Sequence, residues 1–141
     1  MFDRIRGRQR KYSKGEQKND WIRENEMCIR DRDGKTNTSK VVLKKTQNSK
    51  RAELSYKVLK ETEQGSLLEI SLKTGRHHQI RVQLAYAGLP IFGDAKYNPK
   101  CTKEDVNQGI SLCAYKLSFL HPVQGKKMEF QVMPVGNFPI V

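Results

Sequence analysis

The sequence has few cysteines and no paired cysteine spacing. Its three cysteines, Cys28, Cys101 and Cys113, form no CxxC motif. An odd number spaced in this way argues against a disulfide framework. A reducing cytoplasm is the expected environment.

Long apolar runs are also missing. No stretch approaches the roughly 18 residues of a membrane-spanning helix. The basic N-terminus is not followed by the apolar segment of a signal peptide. The sequence predicts a soluble protein that is not exported and has no membrane segment.

Acidic residues are few relative to basic ones. Twenty-seven Lys and Arg against 15 Asp and Glu give a net charge of +12, which attracts polyanions. Nucleic acid is the expected partner, and an anionic membrane surface is the second possibility. Binding to nucleic acid should weaken steeply with salt, because each neutralised phosphate releases condensed counterions.

The chain is short and divides into two unlike parts. Its 141 residues allow one modest domain. From Met1 to Glu26 the apolar residues are too scattered to form a lasting stripe, so this segment is predicted to be disordered or a loose helix.

From about Val41 onward, apolar and polar residues alternate, which is the period of half-buried strands. The turn residues from Thr62 to Ser66 predict that the runs on either side pair as a hairpin. The predicted strands are centred on Leu54 to Val58, Leu68 to Leu72 and, shorter, Val41 to Leu43, and then on Ile110 to Phe119 and Met128 to Val132, with HPVQGKK joining the last two.

One helix is predicted, from about His77 to Ala87, because apolar residues recur there at helical spacing. Gly88 accepts a left-handed cap and Pro90 cannot continue the helix. A polar loop is predicted around Asn98 to Gln108. The fold class is therefore α+β, with a mixed or mostly antiparallel sheet and one short helix.

The segment TGRHHQIR, Thr74 to Arg81, carries the clearest chemistry. A glycine between strand and helix allows a tight turn and close approach to a ligand, and a helix N-terminus offers free N–H groups to anions. On a helix, His77 and Arg81 share one face, which is expected to line a cleft, while Ile80 and Leu84 face the core. Taken alone, such a cluster is more often a solvated basic face than a site.

TGRHHQIR is followed by PIFGDAKY, Pro90 to Tyr97, and by a strand leading to His121 and Pro122. This ordered set resembles the C-terminal part of RluA-type RNA pseudouridine synthases, over residues 33 to 141. The residues that fit the second pattern are Gly88, Pro90, Ile91, Gly93, Asp94 and Tyr97.

The resemblance implies an enzyme in which an aspartate attacks a flipped-out uridine, and the base then detaches, turns and reattaches through carbon, without a metal or other cofactor. Arg81 matches the arginine that pairs with that aspartate, and an adjacent cation keeps such a carboxylate ionised. We expect RNA-binding roles for Arg76, His77, His78, Gln79, Tyr97 and Lys126, and structural roles at the site for Thr74, Gly75, Gly93 and Asp94.

The nucleophile itself is missing. The family's aspartate lies in a segment of the form HRLDxxTSG, which none of the six aspartates of this chain matches, and the active-site tyrosine is also absent. Asp94 is expected to order its loop by capping backbone N–H groups. The chain is therefore predicted to be inactive by itself, with Arg81 unpaired and a sheet edge exposed to aggregation.

Residues Met27 to Arg32, MCIRDR, match one reading frame of a transposon end used to prepare sequencing libraries. We therefore expect residues 1–32 to be an unrelated or disordered basic segment that an adapter scar at residues 27–32 joins to residues 33–141, the synthase portion. The alternative is a natural basic linker ahead of a degenerate synthase.

Two other interpretations have less support. Histidines and cysteines could suggest zinc, but adjacent His77 and His78 do not easily turn to one ion and no paired ligand spacing is present, so no metal is expected. Tyrosines could stack on bases, although residues on strands and helix edges are more often packing residues. The tyrosines concerned are Tyr56, Tyr86 and Tyr97.

Two functions from different classes follow. The first is a truncated RNA pseudouridine synthase acting on rRNA or tRNA. The second is a non-catalytic basic RNA-binding protein with a synthase-like RNA face. Only the sequence upstream of the resemblance discriminates between them.

Overall fold

A computed structural model describes residues 22–30, 33–42, 45–63 and 65–135, with the backbone alone described for 22–26. Strands β1 to β4 form an antiparallel sheet in the order β2-β1-β3-β4, and β5 pairs with β6 in a second sheet. The α+β class is thereby confirmed. The elements are β1 Ile22–Arg30, β2 Lys40–Val42, β3 Ser49–Glu61, β4 Ser66–Leu72, α1 Gln79–Tyr86, α2 Lys103–Gln108, β5 Lys116–Leu120 and β6 Lys127–Gln131.

Strands β3 and β4 form the predicted hairpin. Leu54 and Tyr56 alternate into the core and are 1% and 4% exposed, as period-two burial requires. The Thr62 backbone N–H donates to the Gly65 carbonyl oxygen and closes the turn. Leu72 departs from the pattern: it lies at the end of β4 and is 52% exposed.

Strand β1 corrects the prediction of disorder or a loose helix, because residues 22–26 begin this strand. It pairs with β3 along its full length and with β2 at its far end. Ile29, 1% exposed, joins Ala52 and Val82 in the core. Neighbouring strands on both sides stabilise β1, although apolar and polar residues hardly alternate in its sequence. A short stretch of sequence does not reveal such pairing. The rest of the segment, residues 1–21, lies outside the described residues.

Helix α1 is confirmed with shorter bounds than the predicted His77 to Ala87. Its C-terminus is a Schellman motif, in which the Leu89 N–H donates to the Leu84 carbonyl and the Gly88 N–H to the Ala85 carbonyl. Gly88 has a φ of 79°, the left-handed conformation expected there. Gln79, Val82 and Gln83 are buried and lie on one face of α1. The amides of Gln79 and Gln83 donate to the carbonyl oxygens of Glu53 and Ala52 on β3, so this face covers the sheet.

Helix α2 occupies part of the segment predicted as a polar loop. Thr102 and Asp105 form a capping box, with side chain and backbone bonded in both directions. The sequence TKED carried this signal, because a Thr three residues before an acid begins a helix in this way.

The last two strands are shorter than predicted. Strand β5 begins at Lys116 rather than Ile110, because the backbone at Ser111 donates to the Phe92 carbonyl oxygen instead of pairing in a sheet. The connecting turn holds Gly125 at a φ of 64°. Strand β6, Lys127–Gln131, lies close to the predicted Met128 to Val132.

Two glycines allow a matched test of backbone conformation. Replacing Gly88 with alanine should lower the free energy of unfolding by about 1–2 kcal/mol, because an L side chain is strained in the left-handed region. Gly75→Ala should be nearly neutral, since Gly75 has no positive φ and open space surrounds its Cα. Urea unfolding of both variants would measure the difference, and equal losses would contradict this account.

Candidate functional site

Arg81 and Asp94 form a two-pronged ion pair at the centre of the site. The Arg81 Nε donates to Asp94 Oδ2 at 2.9 Å and Nη2 donates to Oδ1 at 2.7 Å. The Asp94 side chain is fully buried and that of Arg81 is 20% exposed. This corrects the prediction that Arg81 lacks a counter-charge. The loop after α1 folds back and places Asp94 beside Arg81, a tertiary contact that no local pattern indicates.

Asp94 also organises its own loop. Oδ1 accepts the backbone N–H groups of Lys96 at 3.0 Å and Tyr97 at 3.2 Å, the capping contacts expected of this residue. Burial by itself raises the pKa of Asp94, but the bonds and charge of Arg81, together with these N–H groups, outweigh it and lower the pKa below its usual value. Asp94 is therefore ionised, and both of its carboxylate oxygens accept hydrogen bonds from neighbouring groups of the protein.

His78 is held as a neutral acceptor. Its Nε2 lies 3.1 Å from Arg81 Nη1 and its Nδ1 lies 2.9 Å from the Tyr97 hydroxyl. A guanidinium can only donate, so Nε2 carries no proton, and Nδ1–H donates to Tyr97. Burial, and then the positive charge of Arg81, lower the pKa of His78 to about 4, in agreement with this neutral tautomer.

Tyr97 connects the cluster to the core. Its hydroxyl oxygen accepts the Ser39 backbone N–H at 2.8 Å in addition to the bond from His78. The Arg81 guanidinium carbon lies 5.1 Å from the centre of the Tyr97 ring, within cation–π range. The ring packs against the buried cluster of Ile29, Ala52 and Val82.

Ser39 is a site residue that sequence reasoning missed. It is 2% exposed, its Oγ–H donates to the His77 carbonyl oxygen at 2.9 Å, and the same oxygen lies 2.9 Å from His77 Nδ1. Because the only hydroxyl proton is already used, His77 Nδ1–H donates to Ser39. The histidine does not act as a base on this serine, so the pair fixes the segment before β2 against the turn before α1.

The turn before α1 is built around Gln79. Its side-chain oxygen accepts from the Thr74 hydroxyl at 2.8 Å and the Arg76 N–H at 2.9 Å, while its amide donates to the Glu53 carbonyl at 3.0 Å. Gln79 is 4% exposed. This position does not match the prediction that Gln79 contacts RNA, because its polar atoms join the turn to β3 instead.

The remaining predicted residues divide between this cluster and the rest of the surface. Arg76 Nε donates to the Arg51 carbonyl oxygen at 3.0 Å, at the edge of the cluster. Gly93 is sterically required, since it has a φ of 72° and an added Cβ would overlap the Gly109 carbonyl. Lys126 lies in the turn between β5 and β6 and, within the described residues, forms no hydrogen bond or ion pair with the cluster.

Within residues 22–30, 33–42, 45–63 and 65–135, no group of three or more histidine, cysteine and acidic side chains is placed to hold a metal ion. In the same part of the chain, no helix has the length and apolar character needed to cross a membrane.

The neutral state of His78 predicts a pH dependence of stability. Between about pH 4 and pH 6.5 the unfolded chain binds a proton at this residue and the folded chain does not. Stability should therefore be full above pH 6.5 and fall as the pH approaches 4, by about 1–2 kcal/mol from this residue once solvent screening of a partly exposed group is allowed for.

Denaturant unfolding at several pH values would measure this effect in the wild-type chain and in His78→Gln, which should lose that part of the dependence. His77→Gln is the matched control and should keep it. The pKa of Asp94 is lowered, so its protonation belongs to a more acidic range. An unchanged slope in His78→Gln would contradict the assignment.

Comparison of the sequence with known proteins identifies its family. The sequence pattern of the family described as RNA pseudouridylate synthase matches residues 7–86. An uncharacterized RNA pseudouridine synthase of Mycoplasma genitalium is 37% identical over 98 residues, which are 68% of this chain and 32% of that protein. One of Bacillus subtilis is 43% identical over 86 residues, 61% of this chain and 28% of that protein.

A further relative is the ribosomal large subunit pseudouridine synthase D of Vibrio cholerae, which is 33% identical over 108 residues, 69% of this chain and 33% of that protein. The chain thus spans about a third of the length of these relatives. Since more than half of its residues lie inside the family match, the chain belongs to the RNA pseudouridylate synthase family, and it resembles the RluA-type members.

Proposed function

We propose that this chain is the Arg81-bearing portion of an RNA pseudouridine synthase, an enzyme that isomerises uridine to pseudouridine. The observation that carries the proposal is the fixed guanidinium of Arg81, which Asp94 and His78 hold at the start of α1. Its three contacts use three of the five N–H groups of a guanidinium. Within the described residues two N–H groups remain for a further anion.

In the proposed reaction Arg81 meets the nucleophilic aspartate. A carboxylate beside a cation stays ionised and oriented, which an attacking carboxylate requires. The aspartate adds to the flipped uridine and the C1′–N1 bond breaks. The base then turns, C5 bonds to C1′ in place of N1 and the aspartate is released with its electron pair, while C5 gives up its proton to water and N1 takes one up. No cofactor takes part in this scheme.

RNA contacts would come from the basic surface around this group. Arg76 and His77 border the cluster, the half-buried Tyr97 ring would stack on a base, and Lys126 would meet phosphate farther away. Extrusion of the base costs a few kcal/mol, which such contacts would have to offset. A ribosomal RNA substrate is favoured over transfer RNA by the name of the Vibrio cholerae relative, and a cytoplasmic location suits either RNA.

The 141 residues contain no HRLDxxTSG segment, and we propose that the chain alone is inactive. In the structure the anion beside Arg81 is Asp94, which is buried and bonded on both oxygens, so it cannot take the place of the nucleophile. The lack of an HRLDxxTSG segment in these 141 residues also favours the second candidate, a non-catalytic RNA-binding protein. Aggregation through the exposed edges β2 and β4 remains a prediction.

An RNA-binding assay tests this function directly. The chain should bind a uridine-containing RNA hairpin, with affinity falling roughly tenfold or more between 50 and 200 mM salt, and should release no tritium from RNA labelled at uridine C5. Lys126→Ala should reduce the slope of log affinity against log salt concentration by about one. Lys103→Ala, on α2, is the matched control and should leave this slope unchanged. Absence of binding would contradict the RNA interface, and tritium release would contradict inactivity.

The origin of residues 1–32 needs a separate test. The family match begins at residue 7, which favours a synthase origin for much of this segment, so the adapter hypothesis narrows to residues 27–32. If those residues are a scar, sequencing of the source DNA across Glu26 to Gly34 should find the MCIRDR codons missing. Their presence in the source DNA would make the junction natural and favour the binding protein.

A further inference from the structure

An unbroken chain of hydrogen bonds runs through the site. It begins at the buried Asp94 carboxylate, passes through the Arg81 guanidinium and the His78 ring to the Tyr97 hydroxyl, and ends at the Ser39 backbone N–H. In this series of hydrogen bonds the donor and acceptor of each bond are determined, because the guanidinium only donates and the ionised carboxylate only accepts.

We propose that Asp94, His78 and Tyr97 are positioning residues for Arg81, which hold its guanidinium plane so that the two remaining N–H groups meet one carboxylate or phosphate. The identification of that anion as the nucleophilic aspartate rests on the proposed function. The positioning itself rests on the contacts of this chain alone.

Asp94 fixes the plane of the guanidinium. Its two oxygens receive Nε–H and Nη2–H in parallel, the geometry that gives Arg–carboxylate pairs their directionality. The carboxylate cannot turn to follow a moving arginine, because the Lys96 and Tyr97 backbone N–H groups bind Oδ1.

His78 fixes the opposite side. It accepts from Nη1, and its own position is set by a left-handed backbone, with a φ of 53°, and by the bond from Nδ1–H to Tyr97. The Tyr97 ring, at 5.1 Å from the guanidinium carbon, limits movement out of the plane. A rotation of Arg81 would therefore break contacts on both sides.

The proposal predicts that a change at Asp94 alters the protonation of His78, although these two side chains share no hydrogen bond among the described contacts. Histidine ¹⁵N spectra of the wild-type chain near neutral pH should show His78 as a single tautomer with the proton on Nδ1. In Asp94→Asn the spectrum should become a mixture of both tautomers, because Arg81 no longer donates steadily to Nε2.

Asparagine is suited to this test because its Oδ1 can still cap Lys96 and Tyr97, while its NH₂ group faces Arg81 Nε–H as a second donor. Exchange of Arg81 Nε–H with water should accelerate roughly tenfold or more, the loss expected for a charge-assisted bond. Asp105→Asn, which changes the capping box of α2, is the matched control and should alter neither signal.

Should Asp94→Asn not fold, Arg81→Lys provides the same readout, since an ammonium cannot reproduce the planar fork, and the His78 tautomers should again mix. A single Nδ1–H tautomer in either folded variant would overturn the proposal. These spectra are recorded without RNA. If the wild-type chain binds RNA but the variants show no tautomer change, the positioning proposal is wrong and the proposed function stands. If the variants show the change but the wild-type chain binds no RNA, the proposed function is wrong and the positioning proposal stands.

Discussion

The burial of the Asp94 carboxylate is the constraint on which the site depends. An ionised carboxylate with no exposed surface needs a counter-charge and hydrogen bonds, and Arg81 with two backbone N–H groups supplies both. Removing one partner of such a pair costs about 3–5 kcal/mol, because the other charge stays buried and unpaired. The loop after α1 and the first turn of that helix are therefore held together as one unit.

Because arginine can only donate hydrogen bonds, Arg81 also determines the hydrogen-bond roles of its neighbours. Because Arg81 occupies Nε2 of His78, the ring must be neutral, and its remaining proton must find an acceptor. Tyr97 is that acceptor, and its oxygen also takes the Ser39 N–H. The beginning of β2 is thus tied to a helix about forty residues later in the chain. A buried polar network of this kind is stable only when every donor and acceptor in it has a partner. A substitution at either end of the network should therefore shift the position of the Arg81 guanidinium.

Local patterns predicted the parts of the fold that local sequence determines. The β3–β4 hairpin and the end of α1 at Gly88 followed from alternation and capping residues. Strand β1 did not, since two neighbouring strands stabilise it. For the site, the sequence and the resemblance singled out Arg81, His78 and Asp94 as separate residues. Their pairing joins positions 13 residues apart across a loop, and Ser39 joins positions 58 apart, so both required the tertiary structure.

The ion pair also bears on the chemistry proposed for the whole enzyme. A nucleophilic carboxylate facing an isolated guanidinium would be strongly stabilised as an anion, which lowers its basicity. Arg81 already shares its charge with Asp94, so the net field at the open N–H groups is weaker while their direction stays fixed. The second carboxylate would then be oriented by hydrogen bonds without losing as much of its electron-donating power. In the proposed enzyme Asp94 would therefore tune the electrostatics of the site as well as its geometry. A positively charged His78 would strengthen the field at the open N–H groups again, so the proposed chemistry requires His78 to stay neutral.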